Sequence, residues 1–318
     1  MSTVSDIRAC IGIDIGGTKI EAVACGADLQ VRLRQRVATP GEDFNAFAAA
    51  LAELIEAAER ALGATAGSLP VGLGIPGVVD AGSGAHLSSN VPALCGRRVA
   101  AELARRLGRQ MHSANDCQCF ALSEAVGGAA DGAPSMFGVI LGTGAGGGYC
   151  IDGRLVRGSN GTTGEWGHWT LPTTLLERHA LPLLACPCGK TACLERYVSG
   201  SGLAALHMHL HAHPHGSRAD ASAIATAAKA GDPSAQRTLA VHLDLLAHGL
   251  AGIVMAIDPH VLVLGGGLSQ LDHLYTDLPA AVRGHLFAGI QVPPILPPRF
   301  GAAGGARGAA LLTRQRNV

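Results

Sequence analysis

Two stretches of this chain, IGIDIGGTKIEAVAC at 11–25 and FGVILGTGAGGGYCI at 137–151, share one layout. Each reads as an apolar strand, a glycine turn and a returning strand. This internal duplication predicts two α/β halves, each opening with a glycine-turned hairpin that faces a common cleft. Glycine fits the pattern: 44 of the 318 residues are glycine, roughly twice the usual share of about 7%. The glycines have no every-third-residue period, which excludes collagen. With 48% hydrophobic and 15% charged residues, the chain can bury a core, which excludes global disorder. Glycine in excess then means turns, or backbone brought close to a ligand.

The rest of the chain fits the same class. Residues 31–37 alternate as a half-buried strand, and 71–75 form a short buried strand ending at Pro76-Gly77. Phe44, Phe47, Leu51, Leu54, Ile55, Ala58 and Leu62 recur at helical spacing. Helices are also predicted over 97–107, from Asn115-Asp116 to about Val126, over roughly 233–257, and at the closing AGGARGAALLTR. Residues 160–198 read as loop. A boundary near 118 follows from the duplication. It gives a smaller lobe, 1–118, joined by the closing helix at about 303–318, and a larger lobe, 119–302.

Charge and targeting narrow the partners. The 24 basic and 24 acidic residues cancel, which argues against nucleic acid or an anionic membrane as main partner. The uncharged run between Asp131 and Asp152 holds Pro134 and seven glycines, so it reads as strand–turn–strand, not as a membrane helix. The N-terminus lacks the pattern of a signal peptide. The expectation is a cytoplasmic protein whose nine cysteines are reduced.

Several constellations carry chemistry. Asp14-Ile15-Gly16-Gly17-Thr18 reads as a phosphate-cradling turn, with Asp14 placed to hold Mg²⁺ through water. Its plain alternative is an ordinary hairpin. Gly142-Thr143-Gly144, followed by Gly146–Gly148, repeats the same physics, and two such walls can grip one polyphosphate. Asn115-Asp116 sits at a strand–helix junction, where a carboxylate can serve as general base toward a hydroxyl. A plain helix N-cap is the alternative. Cys186, Cys188 and Cys193 with upstream His168 supply four soft ligands, a closed Cys3His zinc site without an open position. That site would pin the loop bearing Glu165 and Glu195. The ladder His207, His209, His211, His213 and His215 reads as a solvated helix end and loop. Gly265, Gly266 and Gly267, after the strand at 261–264, suit close approach of adenine or ribose.

Together DIGGTKI, GIPGVV, SSNVPALCG, NDCQCFALSEA, ILGTGAGGG, GEWGHWTLP, CPCGKTACLERYVSG and IDPHVLVLGGGLS resemble the ROK (repressor, open reading frame, kinase) family over essentially the whole chain. The resemblance implies the duplicated actin-like, hexokinase-like (ribonuclease H-like) ATPase fold. It implies ATP-dependent phosphorylation of the 6-hydroxyl of N-acetyl-D-glucosamine, with Mg²⁺ accompanying ATP and a structural Zn²⁺. Another hexose (glucose, N-acetylmannosamine or fructose) is the alternative, and a sugar-responsive regulator a further one. By this resemblance Asp116 is the catalytic base. Asn90, Asn115, Asp116, Glu165, His168 and Glu195 contact the sugar. Asp14, Gly16, Gly17, Thr18, Lys19, Gly142, Thr143, Gly144 and Gly265–Gly267 face the nucleotide and its phosphates. His168, Cys186, Cys188 and Cys193 hold zinc, and a homodimer is implied. The chain departs from the family pattern at Cys117-Gln118, at Ala192, where the zinc loop normally has glycine, and at Ala302.

Overall fold

The computed structural model describes residues 8–80, 82–87, 90–211, 219–301 and 304–315. Ala302, His213 and His215 therefore lie outside the described residues. In chain order the elements begin with β1 (Cys10–Ile15), β2 (Lys19–Cys25), β3 (Val31–Ala38), α1 (Phe44–Ala61), β4 (Val71–Ile75), β5 (Val78–Val79) and β6 (His86–Leu87). Next come α2 (Val99–Leu107), β7 (Met111–Asn115), α3 (Asp116–Ala125), β8 (Ser135–Leu141), β9 (Ala145–Ile151) and β10 (Arg154–Val156). Then follow α4 (Thr173–Arg178), α5 (Glu195–Val198), α6 (Gly200–His211), α7 (Ala221–Lys229) and α8 (Pro233–Ile257). The chain closes with β11 (Val261–Gly265), α9 (His273–Thr276), α10 (Leu278–His285), β12 (Ile295–Leu296) and α11 (Gly304–Leu312).

The two main sheets have the orders β3-β2-β1-β4-β7 and β10-β9-β8-β11-β12. Renumbered from the first strand of each, both read 3-2-1-4-5. Strand β1 pairs antiparallel with β2 and parallel with β4, and β4 runs parallel to β7. Likewise β8, β11 and β12 are parallel, and β9 and β10 antiparallel. The duplication in sequence is thus a duplication of sheet topology.

The chain divides into two compact units, 1–132 with 148–163 and 300–318, and 133–147 with 164–299. The first unit therefore takes in more of the chain than 1–118 and the closing helix.

In the first unit, Ile11, Ile13 and Ile15 turn to one face of β1 and pack with Phe47, Leu51 and Leu54 of α1. Helix α1 starts where Asp43 accepts hydrogen bonds from the N–H groups of Asn45 and Ala46. Helix α2 stops at Gly108, whose φ of +62° ends it in a left-handed turn. The other face of the sheet carries α11. A Cβ on Gly12 would lie 1.9 Å from the carbonyl oxygen of Ala306, and one on Gly72 1.8 Å from that of Ala309. Gly308 in turn faces α3, where a Cβ would lie 1.6 Å from the oxygen of Cys119. Helix α11 thus lies backbone to backbone on β1, β4 and α3.

In the second unit, α8 begins at the cap Asp232 with Pro233 behind it and ends at Asp258, in a left-handed conformation with φ +42°. It is long and apolar enough to cross a membrane by length and composition alone. Leu245, Leu250 and Val254 on it are buried in the unit. Two members of the histidine ladder, His207 and His211, depart from expectation, whereas His209 is exposed. His207 Nδ1 and His211 Nε2 both bond the Thr238 hydroxyl, at 2.8 and 3.0 Å, so the pair packs α6 onto α8. The scattered cysteines Cys10, Cys25, Cys119 and Cys150 are buried as packing residues, whereas Cys95 is exposed.

Filling the glycine contacts should be costly, because the atoms in the way are backbone. Gly72→Ala and Gly308→Ala are each expected to lower stability by about 3 kcal/mol. Urea denaturation of each variant checks this, and a loss within error of zero refutes the close contact.

Candidate active site

In the first unit the chemistry gathers around the C-terminal ends of β1 and β7. Asp116 opens α3 immediately after β7, and its Oδ1 accepts from the N–H of Cys117 at 2.9 Å. Burial pushes its carboxyl above the ordinary carboxylate range, against the N–H that stabilises the charge. Asp14 lies near the end of β1. Removal from water, with Asp116 and Glu21 adding like charge, pushes its pKa up to about 7, while Lys19 acts against this. The glycine turn beside it is braced by Thr39, whose hydroxyl donates to Gly16 O at 2.7 Å. Its own closing bond runs from Gly16 N–H to Lys19 O at 2.9 Å. Asn90 stands against this turn: a Cβ on Gly17 would lie 2.9 Å from its carbonyl oxygen.

Asn115 is the N-cap of α3. Its Oδ1 accepts from Cys117 N–H at 2.8 Å and its Nδ2 donates to Gly77 O at 3.0 Å. The cap reading of this residue therefore holds, and it does not conflict with exposure of the side chain to a ligand. A pocket of about 320 Å³ lies here, lined by Gly77, His86, Asn115, Gln118, Arg157 and Asn160 among others. His86 and Arg157 gave no signal in the sequence, because neighbours far apart in the chain bring them to the wall, and Gln118 stood out there only as a departure from the family pattern.

In the second unit the glycine turn 142–144 closes with Gly142 N–H to Gly144 O at 3.0 Å. Three contacts fix it from the segment after the cysteine loop. Glu195 Oε2 accepts from Ala145 N–H at 2.9 Å, Gly200 N–H donates to Gly142 O at 2.8 Å, and Ser201 Oγ donates to Thr143 O at 2.7 Å. Gly144 leaves the room for the carboxylate, since a Cβ there would lie 2.4 Å from Glu195 Oε2. Gly266, with φ +75°, lets the end of β11 pass against Leu141, whose oxygen would be 2.5 Å from a Cβ. A pocket of about 730 Å³ opens beside these turns, lined by Gly142, Thr143, Ser201, Asp220, Gly267 and Gln270 among others. Ser201, Asp220 and Gln270 were missed in the sequence; Ser201 directly follows the recognised cysteine-loop motif, and the other two carry no local pattern.

Glu165 and His168 come from a short 3₁₀ turn, and the tryptophan between them is its anchor. Trp166 is buried, donates from Nε1 to Gly146 O at 2.7 Å and packs against Gly249. Gly167 lies so close to Ala145 that a Cβ would be 2.0 Å from its oxygen. This aims His168 at the cysteine loop. His168 Nδ1 lies 3.7 Å from Cys186 Sγ, and Cys188 Sγ 3.6 Å from Cys193 Sγ. One ligand atom from each of the four residues lies within 4.8 Å of the others. Tetrahedral coordination with Zn–S near 2.3 Å and Zn–N near 2.05 Å places sulfurs about 3.8 Å apart and sulfur and nitrogen about 3.6 Å apart. The donor set thus fits Zn²⁺ in spacing and chemistry. His168 Nε2 points away from it, 3.6 Å from Glu165 Oε2.

Asp14 also makes stability depend on pH. Its folded-state pKa lies above the unfolded value near 4. The contribution is therefore full below about pH 4 and is lost as pH rises through about 7. Asp14→Asn removes this loss. Between pH 5 and pH 8 the urea midpoint of wild type, without nucleotide, is expected to fall more than that of the variant. Parallel curves would refute it.

The family model described as "ROK family" matches residues 10–316. The chain is 46% identical over 301 residues to the N-acetylgalactosamine kinase of Shewanella sp. (strain ANA-3), covering 95% of each protein. It is 41% identical over 303 residues to the N-acetyl-D-glucosamine kinase of Vibrio cholerae, covering 95% of this chain and 98% of the relative. Its fold matches the crystal structure of the ROK hexokinase from Thermus thermophilus with a TM-score of 0.83 and 34% identity, over 96% of this chain and 97% of that one. Such matches along nearly the whole length, with the duplicated ATPase topology, leave one assignment: the chain belongs to the ROK family and is a sugar kinase.

Proposed function

We propose that this kinase transfers the terminal phosphoryl group of ATP to the 6-hydroxyl of N-acetyl-D-glucosamine. The observation that carries the reading is Asp116: a carboxylate at the head of α3, turned by its bond to Cys117 N–H and raised in pKa by burial. A base so tuned binds a proton more readily than an exposed aspartate does. Asp116 takes the proton of the 6-hydroxyl as its oxygen attacks the phosphorus in line. Asn90, Asn115, Glu165, His168 and Glu195 hold the remaining sugar groups. The N–H groups of the turns at 16–18 and 142–144, with Lys19, face the phosphates, and the large pocket of the second unit takes adenosine beside Gly265–Gly267. Asp14 would hold Mg²⁺, which would supply the charge neutralisation that phosphoryl transfer needs.

His168 Nδ1, Cys186, Cys188 and Cys193 would hold a structural Zn²⁺. With Nδ1 so engaged, His168 Nε2 remains for a sugar hydroxyl beside Glu165. This arrangement ties the sugar-binding carboxylates of a long irregular segment to one rigid knot.

A second reading has its own support, the 46% identity to an N-acetylgalactosamine kinase. The two sugars differ only in the orientation of the 4-hydroxyl. A coupled assay over N-acetylglucosamine, N-acetylgalactosamine, glucose, N-acetylmannosamine and fructose decides by kcat/KM. A ratio favouring N-acetylgalactosamine overturns the first reading and installs the second; equal turnover of all five overturns the N-acetyl preference.

Asp116→Asn is expected to cut kcat by about 10²–10⁴-fold while the fold survives. Near-native turnover rules Asp116 out as base. Metal analysis should find one Zn²⁺ per chain, and Cys188→Ser should lose it together with thermal stability. Purified protein free of zinc and fully folded contradicts the structural role.

A further inference from the structure

Gln118 is one of the positions where this chain departs from the family pattern, and it is 97% buried at the first turn of α3. Its amide is almost fully used. Nε2 donates to Gly161 O at 3.0 Å and to Thr163 O at 3.1 Å, while Oε1 accepts from Asn115 N–H at 3.4 Å. The two carbonyls belong to the segment 157–163, which has no regular secondary structure after β10. Gly158 and Gly161 both sit at φ +68° there. Among the described residues, the segment's own backbone bonding includes a single long contact, Gly161 N–H to Gly158 O at 3.5 Å. Arg157, Ser159 and Asn160 on this segment form one wall of the pocket that Asn115 and Gln118 line from the other side.

We infer that Gln118 is a positioning residue: it hangs the 157–163 segment over Asn115 and thereby sets the affinity for the sugar. The inference rests on the reading of this pocket as part of the sugar site. The physical argument is one of entropy and reach. A glycine-containing segment without a backbone ladder must lose its freedom when it closes on a ligand. Two hydrogen bonds from one buried amide remove much of that freedom beforehand. Both donors of the amide are needed, since each serves a different carbonyl. The effect belongs to sugar binding, because none of these groups lies at the phosphate turns or carries the transferred proton.

The test compares wild type with Gln118→Met, which fills the same space without hydrogen bonds, and with Gln118→Glu, which keeps the acceptor but loses both donors when ionised. Steady-state kinetics with N-acetylglucosamine and N-acetylgalactosamine is the readout, with direct sugar binding by calorimetry. For Gln118→Met the sugar KM and Kd are expected to rise about tenfold, with kcat within about threefold and the KM for ATP unchanged. For Gln118→Glu the same loss is expected at pH 8. It should shrink, relative to wild type, as pH falls to 5.5, where the protonated carboxyl regains one donor. An unchanged sugar KM in Gln118→Met overturns the inference. So does a rise shared equally by sugar and ATP, or a fall in kcat alone. If Gln118→Met does not fold, the pH dependence of Gln118→Glu decides alone. Wild type that turns over none of the sugars in the panel would refute the function proposed above, a result separable from any effect of Gln118.

Discussion

The contact on which the first unit depends is helix backbone against strand and helix backbone. Helix α11 has glycine or alanine at nearly every position that meets β1, β4 and α3, and the strands answer with Gly12 and Gly72. No side chain separates the elements, so their spacing is set by backbone van der Waals contact and weak Cα–H···O interactions. Such a contact tolerates almost no adjustment, and that is what the site exploits. Asp14 lies near the end of β1 and Asp116 begins α3, and both elements are clamped by the same helix. Gly305 near the start of α11 even leaves room for the Asp14 carboxylate, whose Oδ2 would lie 2.5 Å from a Cβ there. Two carboxylates held this firmly, and away from water, raise the pKa of Asp14.

The second unit is organised by a different device. Its irregular stretch from 164 to 199 has little regular structure, yet its contacts converge. Trp166 and Gly167 press on the strand after the glycine turn, and Glu195, Gly200 and Ser201 grip the turn itself. Between these two grips lie the four donor atoms of the Cys3His set. A metal bound there would act on both ends at once, since His168 follows Trp166 by two residues and Glu195 follows Cys193 by two. Glu195 thus ties the end of the cysteine loop to the glycine turn through Ala145 N–H.

Elements with strong local patterns were legible in the sequence. The hairpins, α1 and α8 follow from periodicity and turn chemistry, and the shared layout of 11–25 and 137–151 reappears as one sheet order used twice. The cysteine cluster was legible because three thiols in eight residues form a local pattern. What stayed hidden depends on partners distant in the chain. Gly12, Gly72 and Gly308 carry no turn, and the glycines of 304–308 are packing surfaces of α11. His207 and His211 looked solvated because Thr238, which both of them bond, is 27 or more residues away. Gln118 looked like an oddity beside the base, since its carbonyl partners lie 43 and 45 residues on.

Ala192 shows how the magnitudes sort themselves. Its φ of +55° is left-handed, a conformation that glycine adopts more readily. An alanine there carries a strain of about 1–2 kcal/mol. The strain is contained by its surroundings: Ala192 N–H donates to Leu184 O and its oxygen accepts from Leu171 N–H, both at 2.8 Å. Its methyl is fully buried, a gain of about 0.8 kcal/mol. A glycine would also have more freedom to lose on folding, about 0.4–1 kcal/mol. These terms nearly cancel, so the departure from glycine costs the loop little. Against the roughly 10–16 kcal/mol that a structural zinc contributes to small zinc-binding folds, any remainder is minor. A loop closed by four metal bonds could therefore hold a residue that a free turn would reject, and with alanine at 192 the four donor atoms still lie within 4.8 Å of one another.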